Sequence, residues 1–316
     1  MKRSPHVRIC VSAGLGNQLF QLACGIASAQ RFNRHLILDS TWYHLQTYVP
    51  RRHFLLGQLF DLNGTPYSRA SNLTPFTIHH EVASLQGILA SFAQKIPILK
   101  KVLINTGTYI FEKHLHARSE ELYAIELPKN VTLSGFWQTV DHFLLARREL
   151  LQILKPQFVP CRDFLHLQEK IQSSSNPVSI HVRRGDFLRF NEGKSVLTSK
   201  FYKAATDYII SSGISNPTWY IFSEDQDWCR SNFSFLERNV NFIQLCGENA
   251  DIEELLLLKE CRAGAILSNS SFSWWGAALS NNQAKVVVTS RYRHGPGQGD
   301  FQHERLLPNW VTINQF

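Results

Sequence analysis

The sequence predicts an α/β protein made of two Rossmann-like domains facing across a cleft. Three observations predict it. A β-turn-α-β unit opens the chain, with an apolar strand over Val7–Val11, a glycine turn at Gly14-Leu15-Gly16-Asn17, a helix to about Phe32 and a short strand over Leu36–Leu38. The second half alternates short apolar runs with helical periods, which implies a parallel sheet. Pro156 and Pro160 interrupt the chain near its middle and mark a linker. Residues 1–157 and 158–316 are therefore expected to be separate domains, and 316 residues suffice for two of ordinary size.

The first helix buries a face of Leu19, Phe20, Leu22, Ala23, Ile26 and Ala27. Residues Thr41–Asn130 carry Pro50, Pro66, Pro75, Pro97 and Pro128 and resist assignment, apart from an amphipathic stretch near Glu81–Leu103. Thr132–Phe136 is expected to be a strand. Asp141–Leu154 follows as a helix, with Arg147-Arg148-Glu149 toward solvent. In the second half, strand Val178–His181 precedes helix Lys200–Ile210, and strand Trp219–Phe222 precedes a short helix near Asp227. Strand Phe242–Gln244 leads to helix Ile252–Cys261, and strand Ala265–Leu267 to helix Phe272–Leu279. Strand Lys285–Val288 closes the series.

A hydrophobic content of 44% with 12% aromatics predicts packed cores and excludes a disordered chain. The net charge of +8 points to an anionic partner, whether phosphate, nucleic acid or an acidic membrane surface, unless the surplus only solubilises. Clustered Lys/Arg tracts, helix-turn-helix spacing and RNA-binding aromatic motifs are missing, which argues against nucleic acid. The run Leu255–Leu258 is hemmed in by Glu253, Glu254, Lys259 and Glu260, so no transmembrane span is expected. Arg8 interrupts the apolar run a signal peptide would need. A cytoplasmic location follows, with peripheral attachment to the inner membrane surface left open. Cys10, Cys24, Cys161, Cys229, Cys246 and Cys261 show neither CxxC nor Cys/His spacing. Cys10, Cys246 and Cys261 lie in apolar contexts, so buried free thiols are expected in place of a zinc site or disulfides.

The strongest chemical signal is His181-Val182-Arg183-Arg184-Gly185-Asp186, directly after an apolar strand. Two guanidiniums at a strand exit are permanently charged and rich in donors, and they match a phosphate or pyrophosphate. In open α/β sheets ligands bind beyond the carboxyl ends of strands. The placement suggests a nucleotide-sugar or similar phosphate ligand, with one arginine facing it and the other bracing. Gly14 and Gly16 fit neither a Walker loop nor a full dinucleotide fingerprint, because Leu19 stands where a third glycine would be. They serve either a tight turn or a close ligand approach. Ser268-Asn269-Ser270-Ser271-Phe272-Ser273-Trp274-Trp275 joins a strand to a helix start. A helix cap explains one of its polar residues; the others can offer hydroxyls and N–H groups to phosphate. Trp274 and Trp275 are expected in the core. Asp225 and Asp227 form an Asp-x-Asp that supports a rival, metal-dependent nucleotide-sugar transferase; the alternative is a solvated helix N-terminus. Asp251 either caps the helix that follows, with Glu254 completing a capping box, or accepts hydrogen bonds from a base.

Gly14-Leu15-Gly16-Asn17-Gln18-Leu19-Phe20-Gln21, the His181–Asp186 motif and Ser268–Gly276 together resemble the α-1,2-fucosyltransferases of glycosyltransferase family 11. Smaller echoes lie at Gly135-Phe136-Trp137-Gln138 and Pro308-Asn309-Trp310. The resemblance implies a GT-B fold, with residues 1–157 on the acceptor side and 158–316 binding GDP-fucose. It implies inverting transfer of L-fucose to the 2-hydroxyl of a terminal β-galactoside, without metal or other cofactor. Arg183 would hold the pyrophosphate, with His181 near the nucleotide. Asn269, Ser270, Ser271, Phe272 and Ser273 would line the phosphates, and Asp251 would contact guanine. Gly14, Gly16 and Asn17 would face the donor, and Trp137 and Gln138 the acceptor. Asp186 is a candidate general base or a loop anchor, and Glu192 is its competitor.

Overall fold

The computed structural model describes residues 5–46, 51–62, 67–70, 109–112, 122–123, 126–282, 284–292 and 305–314. The chain divides into two compact units, Met1–Gln157 and Phe158–Phe316.

The first unit contains a parallel sheet of β1 (His6–Cys10), β2 (His35–Asp39), β3 (Tyr67–Ala70), β4 (Tyr109–Phe111) and β5 (Asn130–Ser134), in the order β3-β2-β1-β5-β4. Helix α1 (Leu15–Arg31) buries Leu19, Phe20, Leu22 and Ala23 completely. Its Gly25 allows close approach to the sheet: a Cβ there would lie 2.9 Å from Leu36 Cδ1 and 3.0 Å from Ile9 Cγ2. Short helices α2 (Trp42–Leu45) and α3 (Leu56–Leu59) follow β2, and α4 (Val140–Ile153) follows β5. The buried carboxylate of Asp39 ends β2, where Arg8 neutralises it at 2.9 Å and Thr41 N–H donates to it at 3.0 Å.

The second unit contains a six-stranded parallel sheet. Its strands are β6 (Pro177–Val182), β7 (Thr218–Ser223), β8 (Val240–Ile243), β9 (Gly264–Ile266), β10 (Val286–Ser290) and β11 (Trp310–Ile313), in the order β11-β10-β9-β6-β7-β8. Helices α5 (Arg162–Ser173), α6 (Ser199–Ser211), α7 (Gln226–Asn232), α8 (Ala250–Glu260) and α9 (Ser271–Ala278) complete it. The two-residue period of a strand divides its side chains between two cores. Val178, Ile180, Val182, Trp219 and Ile221 pack with Phe201, Tyr202 and Ile209 of α6, whereas Tyr220 and Phe222 pack with Phe164, Ile171, Leu257 and Leu258 of α5 and α8. All six residues of β6 are buried, the polar Ser179 and His181 included.

The structure corrects the sequence in several places. The series does not close at Lys285–Val288, because Trp310–Ile313 adds β11 in parallel to β10. Helix α5 went unassigned. Its N-terminus is capped by a sulfur, Cys161 Sγ accepting from Phe164 N–H at 3.3 Å, and its hydrophilic composition hides it. Cys246 is exposed, not buried; Cys10, Cys24, Cys229 and Cys261 are buried. The Glu81–Leu103 stretch lies wholly outside the described residues. Among the described residues no helix is long and apolar enough to cross a membrane.

Candidate functional site

In the second unit the strand order reverses between β6 and β9, which pair directly. A crevice opens at the carboxyl ends of two strands at such a switch point. The two polar motifs singled out in the sequence leave the sheet there. They are joined by His181 Nδ1 and Ser268 Oγ, 2.8 Å apart. His181 is buried, and its pKa falls to about 3, first through desolvation and second through the charge of Arg183. The imidazole is therefore neutral at physiological pH. Its ring centroid lies 5.5 Å from that of Phe272.

The two arginines have different surroundings. Arg184 braces the loop: its Nε donates to Asp225 Oδ2 at 2.8 Å, and its guanidinium stacks 4.3 Å from the Trp228 ring centroid. Arg183 extends beside carboxylates, with Nη2 2.5 Å from Asp186 Oδ1 and Nη1 3.7 Å from Glu224 Oε1. Asp186 sits in the short 3-10 turn Gly185–Leu188. Glu192 is exposed and pairs with Lys194 at 2.7 Å.

The serine-rich loop is held mostly by itself. Ser268 Oγ accepts from Ser270 N–H at 3.3 Å, and Ser270 Oγ caps α9 by accepting from Phe272 N–H at 3.2 Å. Ser273 turns its hydroxyl inward and donates to Ser270 O at 3.0 Å; Asn269 Nδ2 donates to Ser195 O at 3.0 Å. Ser271 and Phe272 are half-buried at the helix start. Trp274 and Trp275 are core residues, and Trp274 Nε1 donates to Arg305 O at 2.6 Å. The structure thus brings His181, Arg183, Asp186 and Ser268–Phe272 to one sheet edge.

Asp251 is not the expected cap, and its charge acts together with that of Glu224 on Glu254. It is exposed in the first turn of α8, whose cap position is Asn249. Glu254 does not complete a capping box. Its carboxylate accepts from Leu245 N–H at 2.7 Å, and burial pushes its pKa up to about 7. Asp225 caps α7 by accepting from Trp228 N–H at 3.2 Å while it holds Arg184, and Asp227 is exposed beside it. Among the described residues no group of three His, Cys, Asp or Glu side chains is arranged to hold a metal ion.

The first unit has its own switch point between β1 and β5. The strained residue of the β1–α1 turn is Ala13, at φ +63°, not a glycine. Gly14 has φ −78°, and a Cβ there would meet nothing within 4 Å. Neither backbone conformation nor packing requires glycine at that position. Gly16 is buried, and Asn17 Oδ1 accepts from Gln138 Nε2 at 2.5 Å. Trp137, which the resemblance turns toward the acceptor, lies in the core of the first unit instead. Its side chain is fully buried, its φ is +54°, and its N–H donates to Glu112 Oε1 at 2.8 Å. Gln138, 9% exposed, is the residue of that pair nearer the surface.

Sequence reasoning gave no role to Gln18, Gln21, Glu112 or Glu224. Gln21 accepts from Ser12 N–H at 2.9 Å and donates to Gly135 O at 3.0 Å, tying the two switch-point loops together. Gln18 accepts from Leu55 N–H at 2.9 Å and donates to His53 O at 2.8 Å. The available signal was two glutamines, three residues apart, on an otherwise apolar helix face.

The model of Glycosyl transferase family 11 matches residues 6–314. The chain belongs to glycosyl transferase family 11. This family 11 chain is 25% identical over 281 residues to an α-1,2-colitosyltransferase of Escherichia coli, covering 88% of this chain and 89% of the relative. It is 25% identical over 315 residues to the O-antigen biosynthesis glycosyltransferase WbnK of Escherichia coli, covering 96% and 99%. Bovine galactoside alpha-(1,2)-fucosyltransferase 2 is 26% identical over 218 residues, covering 63% and 60%. Among solved structures, the fucosyltransferase NodZ from Bradyrhizobium superposes with a TM-score of 0.52 at 14% identity, over 88% of this chain and 94% of that one. The fold is of the GT-B type, and the family 11 chain is a glycosyltransferase.

Proposed function

We propose that the protein transfers L-fucose from GDP-fucose to the 2-hydroxyl of a terminal galactose, with inversion and without a metal ion. The observation that carries this reading is the meeting of the His181–Asp186 motif, through His181, with the Ser268–Phe272 loop at the carboxyl ends of adjacent strands β6 and β9. The galactoside α-1,2-fucosyltransferases among the relatives support the donor and linkage. Residues 158–316 take the donor and residues 1–157 the acceptor.

In this reading the bond from fucose C1 to the GDP oxygen breaks and the diphosphate keeps the electron pair. Arg183 stabilises that growing charge more in the transition state than before it. The N–H groups at the start of α9 and the Ser270 and Ser271 hydroxyls complete the phosphate site. His181 is neutral and contributes no charge that would compete with the arginine. The acceptor 2-hydroxyl attacks C1 from the opposite face. We assign its proton to the Asp186 carboxylate, which is 55% exposed beside Arg183. Within the first unit Gly14 and Asn17 are assigned to the donor and Gln138, which donates to Asn17 Oδ1, to the acceptor.

The colitosyltransferase relative favours a second reading, in which colitose replaces fucose on the donor. One experiment tests both. The purified protein is incubated with GDP-fucose or GDP-colitose and a panel of β-galactosides, with and without EDTA, and the product linkage is determined. An α-1,2-fucosylated product in EDTA is the expected result. Exclusive use of GDP-colitose selects the second reading. Activity lost in EDTA and restored by manganese favours a metal site at Asp225 and Asp227. No transfer to any galactoside overturns the proposal.

A further inference from the structure

We propose that Glu224 is the positioning carboxylate of the arginine loop, holding Arg183 ready for an incoming diphosphate. The inference rests on the donor reading above. Glu224 follows the end of β7, whereas Arg183, Arg184 and Asp186 follow β6. Its Oε1 accepts from Arg184 N–H at 2.9 Å and lies 3.7 Å from Arg183 Nη1. A Cβ on Gly185 would sit 2.7 Å from the same oxygen and 3.3 Å from Glu224 Cγ. The absent side chain at Gly185 therefore leaves the space that Glu224 fills. Backbone φ does not require this glycine, which is missing from the positive-φ residues.

A carboxylate beside a phosphate-binding guanidinium opposes phosphate by charge. Glu224 therefore weakens donor binding unless it contributes something else, and the geometry points to order. Arg183 has a long flexible stem, and immobilising such a side chain on binding costs conformational freedom. A contact that fixes it beforehand removes part of that cost.

The two carboxylates on Arg183 are unequal. The Asp186 side chain is 55% exposed, on a short turn next to the arginine; Glu224 is 33% exposed and anchored through the Arg184 N–H to a neighbouring strand. Asp186 is the partner that yields Nη2 to a phosphate oxygen, which also releases its carboxylate. Glu224 keeps Nη1 and the loop backbone in place.

The test compares wild type with Glu224→Ala and Glu224→Gln. GDP affinity is read by calorimetry, GDP-fucose kinetics by turnover, and amide hydrogen exchange over residues 184–187 by mass spectrometry. Glutamine keeps the oxygen that accepts from Arg184 N–H, so Glu224→Gln binds GDP within about threefold of wild type. Glu224→Ala binds it about tenfold more weakly, the scale for losing one hydrogen bond to a charged group. KM for GDP-fucose rises in Glu224→Ala by more than kcat falls, and exchange at residue 184 quickens. GDP binding by Glu224→Ala at wild-type strength or tighter overturns the proposal, because the carboxylate would then act only as a repelling charge. If wild type itself binds no GDP, the donor reading fails. The exchange arm still decides on Glu224: unchanged protection at Arg184 in the alanine variant overturns positioning independently of any nucleotide.

Discussion

His181 Nδ1 and Ser268 Oγ, 2.8 Å apart, join the two loops that leave the second sheet where its strand order reverses. One hydroxyl serves both loops, since Ser268 Oγ also accepts from Ser270 N–H. Ser268→Ala leaves a buried imidazole nitrogen and a buried amide without that partner. Losing a buried partner costs about 1–3 kcal/mol. Urea unfolding of Ser268→Ala is expected to show a lower midpoint with an unchanged slope, together with a higher KM for the donor. A midpoint equal to that of wild type would remove Ser268 from the site's framework.

Arg183 and Arg184 are adjacent, but their replacement should have different consequences. Arg183→Ala is expected to lower kcat/KM by roughly two to three powers of ten, the scale for removing one donor from a developing negative charge. Arg183→Lys is impaired as well, because an ammonium cannot make the forked contact. Arg184 instead holds Asp225 and stacks on Trp228, so Arg184→Ala lowers stability by about 1–2 kcal/mol. Steady-state kinetics beside thermal unfolding separates the two effects. Near-normal turnover in Arg183→Ala would reject its assignment.

Gly14 offers a test of whether open space in the first unit has a use. Its backbone is ordinary, and an added Cβ would touch no protein atom within 4 Å. Gly14→Ala is therefore expected to shift stability by no more than about 1 kcal/mol, the difference between these residues at a helix cap. The donor KM nevertheless rises, because the methyl group occupies room meant for the ligand. Equal KM values for Gly14→Ala and wild type would make the glycine incidental.

Legibility followed from how much a residue's own chemistry constrains its place. Strands β6 and β7 were readable because short β-branched and aromatic runs between turn signals suit buried parallel strands, and His181–Asp186 because two arginines after such a strand are hard to explain otherwise. The first-unit β1–α1–β2 ladder was readable for the same reason. Strand β11 was missed because it is only four residues long, Trp310–Ile313, none of them fully buried, and its exposed Thr312 breaks the apolar run. Trp137 was assigned to the acceptor only through the resemblance at Gly135-Phe136-Trp137-Gln138, which carries no information on burial. Only the positive φ, which the sequence does not disclose, turns it inward. Glu224, which heads the acidic segment Glu224-Asp225-Gln226-Asp227, has no role legible in the sequence because its partners are about 40 positions away along the chain, after the neighbouring strand.

His142 gives the protein a pH dependence whose sign can be worked out. It is fully buried on α4, its Nδ1 lies 2.9 Å from Tyr123 Oη, and desolvation depresses its pKa from 6.5 to about 4, against a smaller opposing pull from Asp141. The unfolded chain therefore binds this proton at higher pH than the folded chain does. Stability is fully present above pH 6.5 and is lost as pH falls from there toward 4. By pH 5 the loss approaches about 2 kcal/mol, at about 1.4 kcal/mol per pH unit. His181 adds a loss of the same sign, over a window from 6.5 to about 3. Glu254 works the other way: its raised pKa lets the folded state hold a proton between about 7 and 4.5, so it gains stability as pH falls through that range. A raw stability profile mixes all three. Subtracting the profile of His142→Gln from that of wild type cancels His181 and Glu254 and leaves His142. The difference, measured by urea unfolding from pH 8 to pH 5, is expected to be flat above 6.5 and to slope below it, wild type losing more on acidification. Parallel profiles across the whole range would mean that His142 takes up its proton equally well in the folded and unfolded chain.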